Sequence, residues 1–178
     1  MQRIAYVFII ALALLCSASK KNLINGNEEL INIPCSSIVS DEYATRALGT
    51  ANSTNMQNAK NKAVAAARSE LASSMQTVVQ RVVDSYATSF DGDSSARFLS
   101  YTQDVSRLTT NHVLVGSTIA CEKITKSVDK KTKSVTYHAY VVVEVANEEI
   151  EKATQLQVLE VLPETDVLRQ KFRESMGM

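Results

Sequence analysis

Three cysteines and two histidines are the residues of this sequence best suited to covalent or metal chemistry, and their spacing restricts each of them. Cys16 follows an apolar run near the N-terminus, while Cys35 and Cys121 stand far apart in the rest of the chain, without the C-x-x-C spacing of a metal site. His112 is expected just before one strand and His138 within its partner. At about 3.4 Å per residue they lie more than about 30 Å apart, too far to share a metal ion. His138 neighbours Tyr140 and Glu144 on the less apolar face of its strand, which suits a solvent-facing histidine rather than a general base. Asp91-Gly92-Asp93 has only the outline of a calcium loop: the glycine is misplaced, and Thr102 holds the position that needs a glutamate. Asn52-Ser53-Thr54 is a glycosylation sequon set tightly between a strand and a helix, where a structural role is expected. No nucleophile elbow, phosphate loop or dinucleotide fingerprint occurs among only five glycines. These residues point to no catalytic residue, no cofactor and no metal, and so to a non-enzymatic protein.

The N-terminus indicates a compartment. Arg3 precedes the apolar run Ile4 to Leu15, which is followed by Cys16, Ser17, Ala18, Ser19 and then Lys20-Lys21. A basic start, a hydrophobic segment and a zone of small residues make up a secretory signal peptide. A spanning helix needs about 17–25 residues, more than this run or any later one offers. Residues 1–19 are therefore expected to direct export, with cleavage after Ala18 or Ser19. Lipidation of Cys16 is the competing outcome, but Ala13 and Leu15 occupy lipobox positions where Leu and a small residue are usual. Either outcome leaves Cys35 and Cys121 as a pair in an oxidising compartment, where a disulfide is expected and two buried thiols are the alternative. The bridge would close a loop of about 86 residues, worth about 3–5 kcal/mol in the chain-entropy treatment.

The elements that hold these residues follow from pattern. Nineteen basic and nineteen acidic residues balance to zero net charge, which leaves no electrostatic footprint for nucleic acid. A polar tether (residues 20–32, with the turn signal Asn25-Gly26) leads to a single domain over residues 33–178. A first strand is read from Glu42 to Ala51, its odd positions Tyr43, Thr45, Ala47, Gly49 and Ala51 sharing one face. A long helix is read from about Thr54 to about Thr88, capped by Thr54 with Gln57, or else by Ser53 or Asn55. Its apolar stripe is Met56, Ala59, Ala63, Ala67, Leu71, Met75, Val78, Val82 and Tyr86. Small residues on strand and helix alike predict that the two approach closely. One further helix carries Phe98, Tyr101, Val105 and Leu108 and closes at Asn111-His112. Strands Val113 to Ile124 and Ser134 to Ala146 flank the charged connection Ser127 to Lys133. Their pairing is expected to set Cys121 near Ala139, on the core face. A helix capped by Asn147 then carries Ile150, Ala153, Leu156 or Gln157, and Val161 until Pro163, and a last amphipathic segment carries Val167, Leu168, Phe172 and Met176.

The stretch RALGTANSTNMQNAKNKAVAAARSELA (Arg46 to Ala72) resembles the LPP20-type bacterial envelope proteins, and more distantly the N-terminal module of flagellar T-ring-type proteins. Leu114-Val115-Gly116, the strand reaching Cys121 and Tyr140-Val141-Val142-Val143 fit the same pattern. Ile33-Pro34-Cys35 and Phe172-Arg173-Glu174-Ser175-Met176 are similar to the version found in Bacteroidetes. The resemblance spans Ile33 to Met176, departing at Ala51, where glycine is usual, and at the lipobox. It implies an α+β layer in the periplasm or at the outer membrane of a Gram-negative cell, and it brings no catalytic residues. The expectation is thus an antiparallel sheet packed by one long alanine-rich helix with shorter helices around it. It would bind other envelope proteins or serve a structural role, and touch the membrane only through a lipid on Cys16. A small-ligand carrier is the alternative; it needs an unfilled cavity along Leu71 to Tyr86.

Overall fold

Asn55 starts the longest element of the chain. Its backbone is extended, and its side chain accepts a hydrogen bond from the Asn58 amide at 3.0 Å, which satisfies one orphan donor of the first turn. The cap is therefore Asn55 and not Thr54; Gln57 bonds Asn61 one turn on instead of reaching back. In chain order the described residues form β1 (Leu23–Ile24), β2 (Glu28–Glu29), β3 (Ala44–Ser53), α1 (Met56–Ala87), α2 (Gly92–Tyr101), α3 (Val105–Leu114), β4 (Thr118–Val128), β5 (Val135–Ala146), α4 (Asn147–Val161) and α5 (Val167–Ser175). This is a computed structural model, and it describes Leu23–Ile24, Glu28–Glu29 and residues 31–177. The expected leader, with Cys16, lies outside the described residues. Strands β1 and β2 pair antiparallel on either side of the Asn25-Gly26 turn signal, in a unit that ends at Ile33.

The main unit, from Pro34 onward, is α+β, with an antiparallel sheet in the order β3-β5-β4 and α1 packed against β3 and β5. Gly49 is buried on the helix-facing side of β3. A Cβ built there would run into the Ala63 carbonyl oxygen and the Ala67 amide, and would lie 2.8 Å from the Ala67 Cα. The helix backbone itself is thus seated on the strand, which is possible only because Ala59, Ala63 and Ala67 present methyl groups or nothing larger.

Beyond the alanines the buried stripe differs from the expected one. It runs Leu71, Met75, Val79, Val83, Ala87, while Val78, Val82 and Tyr86 are only partly buried and Met56 is exposed. Every step from Ala59 is four residues. At 3.6 residues per turn each such step advances about 40°, so the stripe winds most of the way round the helix. The reason lies in its neighbours: the first turns face β3 and β5, and α1 also packs against α2, α3 and α4. Tyr86 and Phe172 meet edge-on at 4.7 Å, and Phe98 stacks at 4.9 Å on Phe90 and 5.9 Å on Phe172. This aromatic cluster fixes α2 and α5 to the end of α1.

The single helix expected through Phe98 and Leu108 is two. Thr102 turns its hydroxyl back to the Phe98 carbonyl at 3.0 Å and accepts the Val105 amide with its own carbonyl, ending α2 and launching α3. Helix α3 then continues through Val113 and Leu114, which the sequence reading assigns to a strand. Val105, Thr109 and Val113 form its buried ridge, and the threonine hides that helical period from a count of apolar residues. The bonds from Gly116 and Ser117 to the carbonyls of Val113 and Leu114 close the helix, so β4 begins only at Thr118 and Val115 is 85% exposed. In α4 the buried positions are Ile150, Ala153, Thr154 and Val158, and Leu156 faces solvent. Asn147 is its first helical residue and not its cap. It donates to the carbonyls of Asp41 and Glu42 and accepts from the Thr45 hydroxyl, stapling α4 to the start of β3.

Cys121 is opposite Val142 and not Ala139: Thr118 and Ile119 already pair two residues further along β5 than expected, with Glu144 and Val143, and a bulge between Ile119 and Cys121 adds one more. That slip puts Cys121 with Val142 and Leu48 on the sheet face away from α1. It does not lie on the helix-facing core. Cys35 bonds it there, with an S–S distance of 2.06 Å. The chain from Cys35 then reaches the β3 edge, where Ser40 exchanges hydrogen bonds with the Arg46 amide and carbonyl. Arg46 also donates to the Val39 carbonyl and forms ion pairs with Asp41 and Glu144, both at 2.6 Å. Pro34 to Asp41 is therefore a strap anchored to β4 at one end and β3 at the other, which accounts for the complete burial of Val142 on the central strand.

Replacing Gly49 by alanine is expected to cost about 3 kcal/mol, the upper range for overpacking, since the obstacle is backbone that cannot rotate away. Gly92 has nothing within 4 Å of an added Cβ, so Gly92→Ala is expected to stay within about 0.5 kcal/mol of the parent. Thermal unfolding of the two variants should differ by roughly 6–12 °C; equal midpoints would contradict the contact.

Candidate functional site

The two histidines remain apart. His112 lies exposed in the last turn of α3, and His138 lies on β5 opposite Thr125, further along the hairpin than the expected register places it. Among the described residues no group of three His, Cys, Asp or Glu side chains is placed to hold a metal ion. The cysteine pair is brought together, and Cys16 lies outside the described residues. Ser53 accepts the Asn55 amide, which gives the sequon stretch its structural role at the start of α1. Asp91-Gly92-Asp93 opens α2, with the Asp91 carbonyl accepting the Ser95 amide.

One contact escaped the sequence reading, which places Ser127 in the hairpin connection. Ser127 belongs to β4, and its hydroxyl lies 3.2 Å from His138 Nε2. A nucleophile beside a base needs a third group to orient the ring and donors to hold an oxyanion. Among the described residues no hydrogen bond reaches His138 Nδ1, and Ser127 is exposed. The pair is a surface hydrogen bond.

Several clefts border the helices, two of them beside α4. The first, of about 310 Å³, lies between α3 and α4, with Val113, Gly116 and Ala153 beneath and His112, Glu149, Lys152 and Leu156 around it. The second, about 490 Å³, opens between the strap, α1 and the start of α4; Ser40, Thr45, Ser74, Thr77, Arg81 and Asn147 line it with Asp41 and Val78. Most of its polar groups are already engaged: Thr45 with Asn147, Ser40 with Arg46, and Asp41 with Arg46. The Arg46 guanidinium holds the Asp41 carboxyl below its ordinary value, helped by the Ala44 and Tyr43 amides. Neither cleft is lined by Leu71, Met75, Val79 or Val83, which are enclosed in the core. No described helix is long and apolar enough to cross a membrane. No family model, curated protein or solved structure matches this chain.

Thr109 and Thr110 on α3 are buried, and their hydroxyls find no partner among the described residues. An unpaired buried hydroxyl costs about 1–3 kcal/mol. Thr109→Val and Thr110→Val, which preserve shape, should each raise stability by about 1 kcal/mol, or about 2–4 °C in the unfolding midpoint; a loss of stability would show the hydroxyls to be satisfied. The strap gives a pH dependence. Because Asp41 is depressed in the folded state, its stabilisation is complete above its ordinary value of 3.8 and disappears as pH falls through the lower folded value. Exchange protection of the Arg46 amide should weaken in that acid range, and Asp41→Asn should weaken it at neutral pH; protection unchanged by either would contradict the anchoring role.

Proposed function

We propose that this chain is a non-enzymatic protein of the Gram-negative cell envelope, of the LPP20 type, exported to the periplasm or outer membrane and acting by binding other envelope proteins or as a structural module. The observation that carries this reading is the Cys35–Cys121 disulfide, because such bridges persist in oxidising compartments and are rare in the cytosol. The leader-like residues 1–19 supply the route to that compartment. The long alanine-rich helix on an antiparallel sheet agrees with the layer that the resemblance implies. The competing carrier reading calls for a cavity along Leu71 to Tyr86; the cleft that Val78 borders there is lined mainly by polar groups engaged with one another, and Leu71, Met75, Val79 and Val83 are enclosed by core residues, which leaves the carrier reading with less support.

Cell fractionation with intact mass analysis tests the proposal. The expected result is an envelope-fraction protein that begins after Ala18 or Ser19 and lacks the two hydrogens of a closed disulfide. A diacylglyceryl-modified Cys16 would still place it in the envelope, as a membrane-anchored protein. An uncleaved chain with both thiols free in the cytosol would overturn it.

A further inference from the structure

Strand β4 is an edge strand whose exposed side has no partner among the described residues. It packs on β5 and on no other element to a comparable extent, and α1 lies over β3 and β5. The opposite edge, at β3, is occupied by Ser40 at the Arg46 amide and carbonyl, whereas among the described residues no bond of that kind reaches Thr118 to Val128. From Cys121 to Val128 the strand runs without a bulge. Two large apolar side chains stand out at its ends, Ile119 at 46% and Val128 at 51% exposure. A long, open, partly apolar edge is a template for another strand.

We propose that the partner is β4 of a second copy, paired antiparallel about a two-fold axis at Ile124 to make one six-stranded sheet. Such an axis stands normal to the sheet and keeps each face on its own side, so residues can pair only in registers centred on a single residue. Centres at Lys123 or Lys126 set a lysine against itself, and a centre at Glu122 sets that glutamate against itself. Centring on Ile124 pairs Glu122 with the second copy's Lys126 and Lys126 with its Glu122, on the face shared with Ile124. Ile124 meets its own counterpart. Val128 comes against the bulge after Ile119, so the exposed apolar residues at the two ends of the strand cover one another. Glu122 already accepts from Lys60 at 2.9 Å and has acceptor capacity left for a second ammonium. Lysines on an edge ordinarily deter other strands; here they admit a strand that offers a glutamate at the matching place. This inference is independent of the export reading.

Charge exchange tests it: Lys126 is exposed and Lys126→Glu leaves the Glu122–Lys60 pair intact, so that variant separates the interface from the internal contact that Glu122→Lys also removes. Sedimentation equilibrium of the protein purified from expressing cells should show a dimer. Glu122→Lys and Lys126→Glu should each weaken it about tenfold or more, since like charges then face each other twice per dimer. An equimolar mixture of the two variants should recover tight dimers, as each supplies the charge that the other lacks. A wild-type protein that sediments as a monomer, or a mixture no tighter than either variant alone, would overturn the proposal.

Discussion

A helix backbone can lie directly on a strand only where neither side carries bulk, and in this protein that condition is met at Gly49. Gly49 offers no Cβ, and Ala63 and Ala67 offer no more than methyl groups. Once α1 is seated there, its direction over the sheet is set, and the rest of its length must find other cover. The stripe then turns progressively away from the sheet and toward α2, α3 and α4, with large side chains where space allows them. The division of the helix into an alanine half and a Leu, Met and Val half therefore has a single cause: the first half touches backbone and the second touches side chains.

The far side of the sheet is managed differently. A three-stranded sheet with one helical layer leaves its other face to water, yet Val142 on the central strand is wholly buried. The strap supplies the missing cover at small cost in chain length, held by a disulfide at β4 and by Arg46 at β3. Arg46 suits this role because its planar fork serves two carboxylates and a carbonyl at once. A chain without a large core on both faces gains from such a covalent tie.

Much of this could be read from the sequence for physical reasons that are easy to name. Alternation in β5, small residues in β3 and the alanines in the first half of α1 each reflect one element meeting one environment. Readings failed where that condition failed. Thr109 and Thr110 take core positions on α3, so an apolar count saw a strand beginning at Val113 in place of a helix ending at Leu114. The bulge after Ile119 shifted every later pairing of β4 and moved Cys121 to the other face, and nothing in the local sequence marks it. Asn147 looks like a helix cap and is instead a bond between α4 and β3, 102 residues from Thr45. As for sites, the cysteine pair was legible because only Cys35 and Cys121 remain once Cys16 is set apart with the N-terminal apolar run. The clefts were not, because each gathers residues from separate elements with no common pattern.

The central claim is the seating of α1 on Gly49, and proton–proton distances in solution report it directly. In a nuclear Overhauser spectrum of the isotopically labelled protein, the Gly49 α-protons should show strong cross-peaks to the Ala67 amide and α-proton. That result would place backbone against backbone. Cross-peaks from Gly49 only to side-chain methyl groups, with none to the Ala67 backbone, would mean that the helix stands off the strand, and the account built on their contact would be wrong.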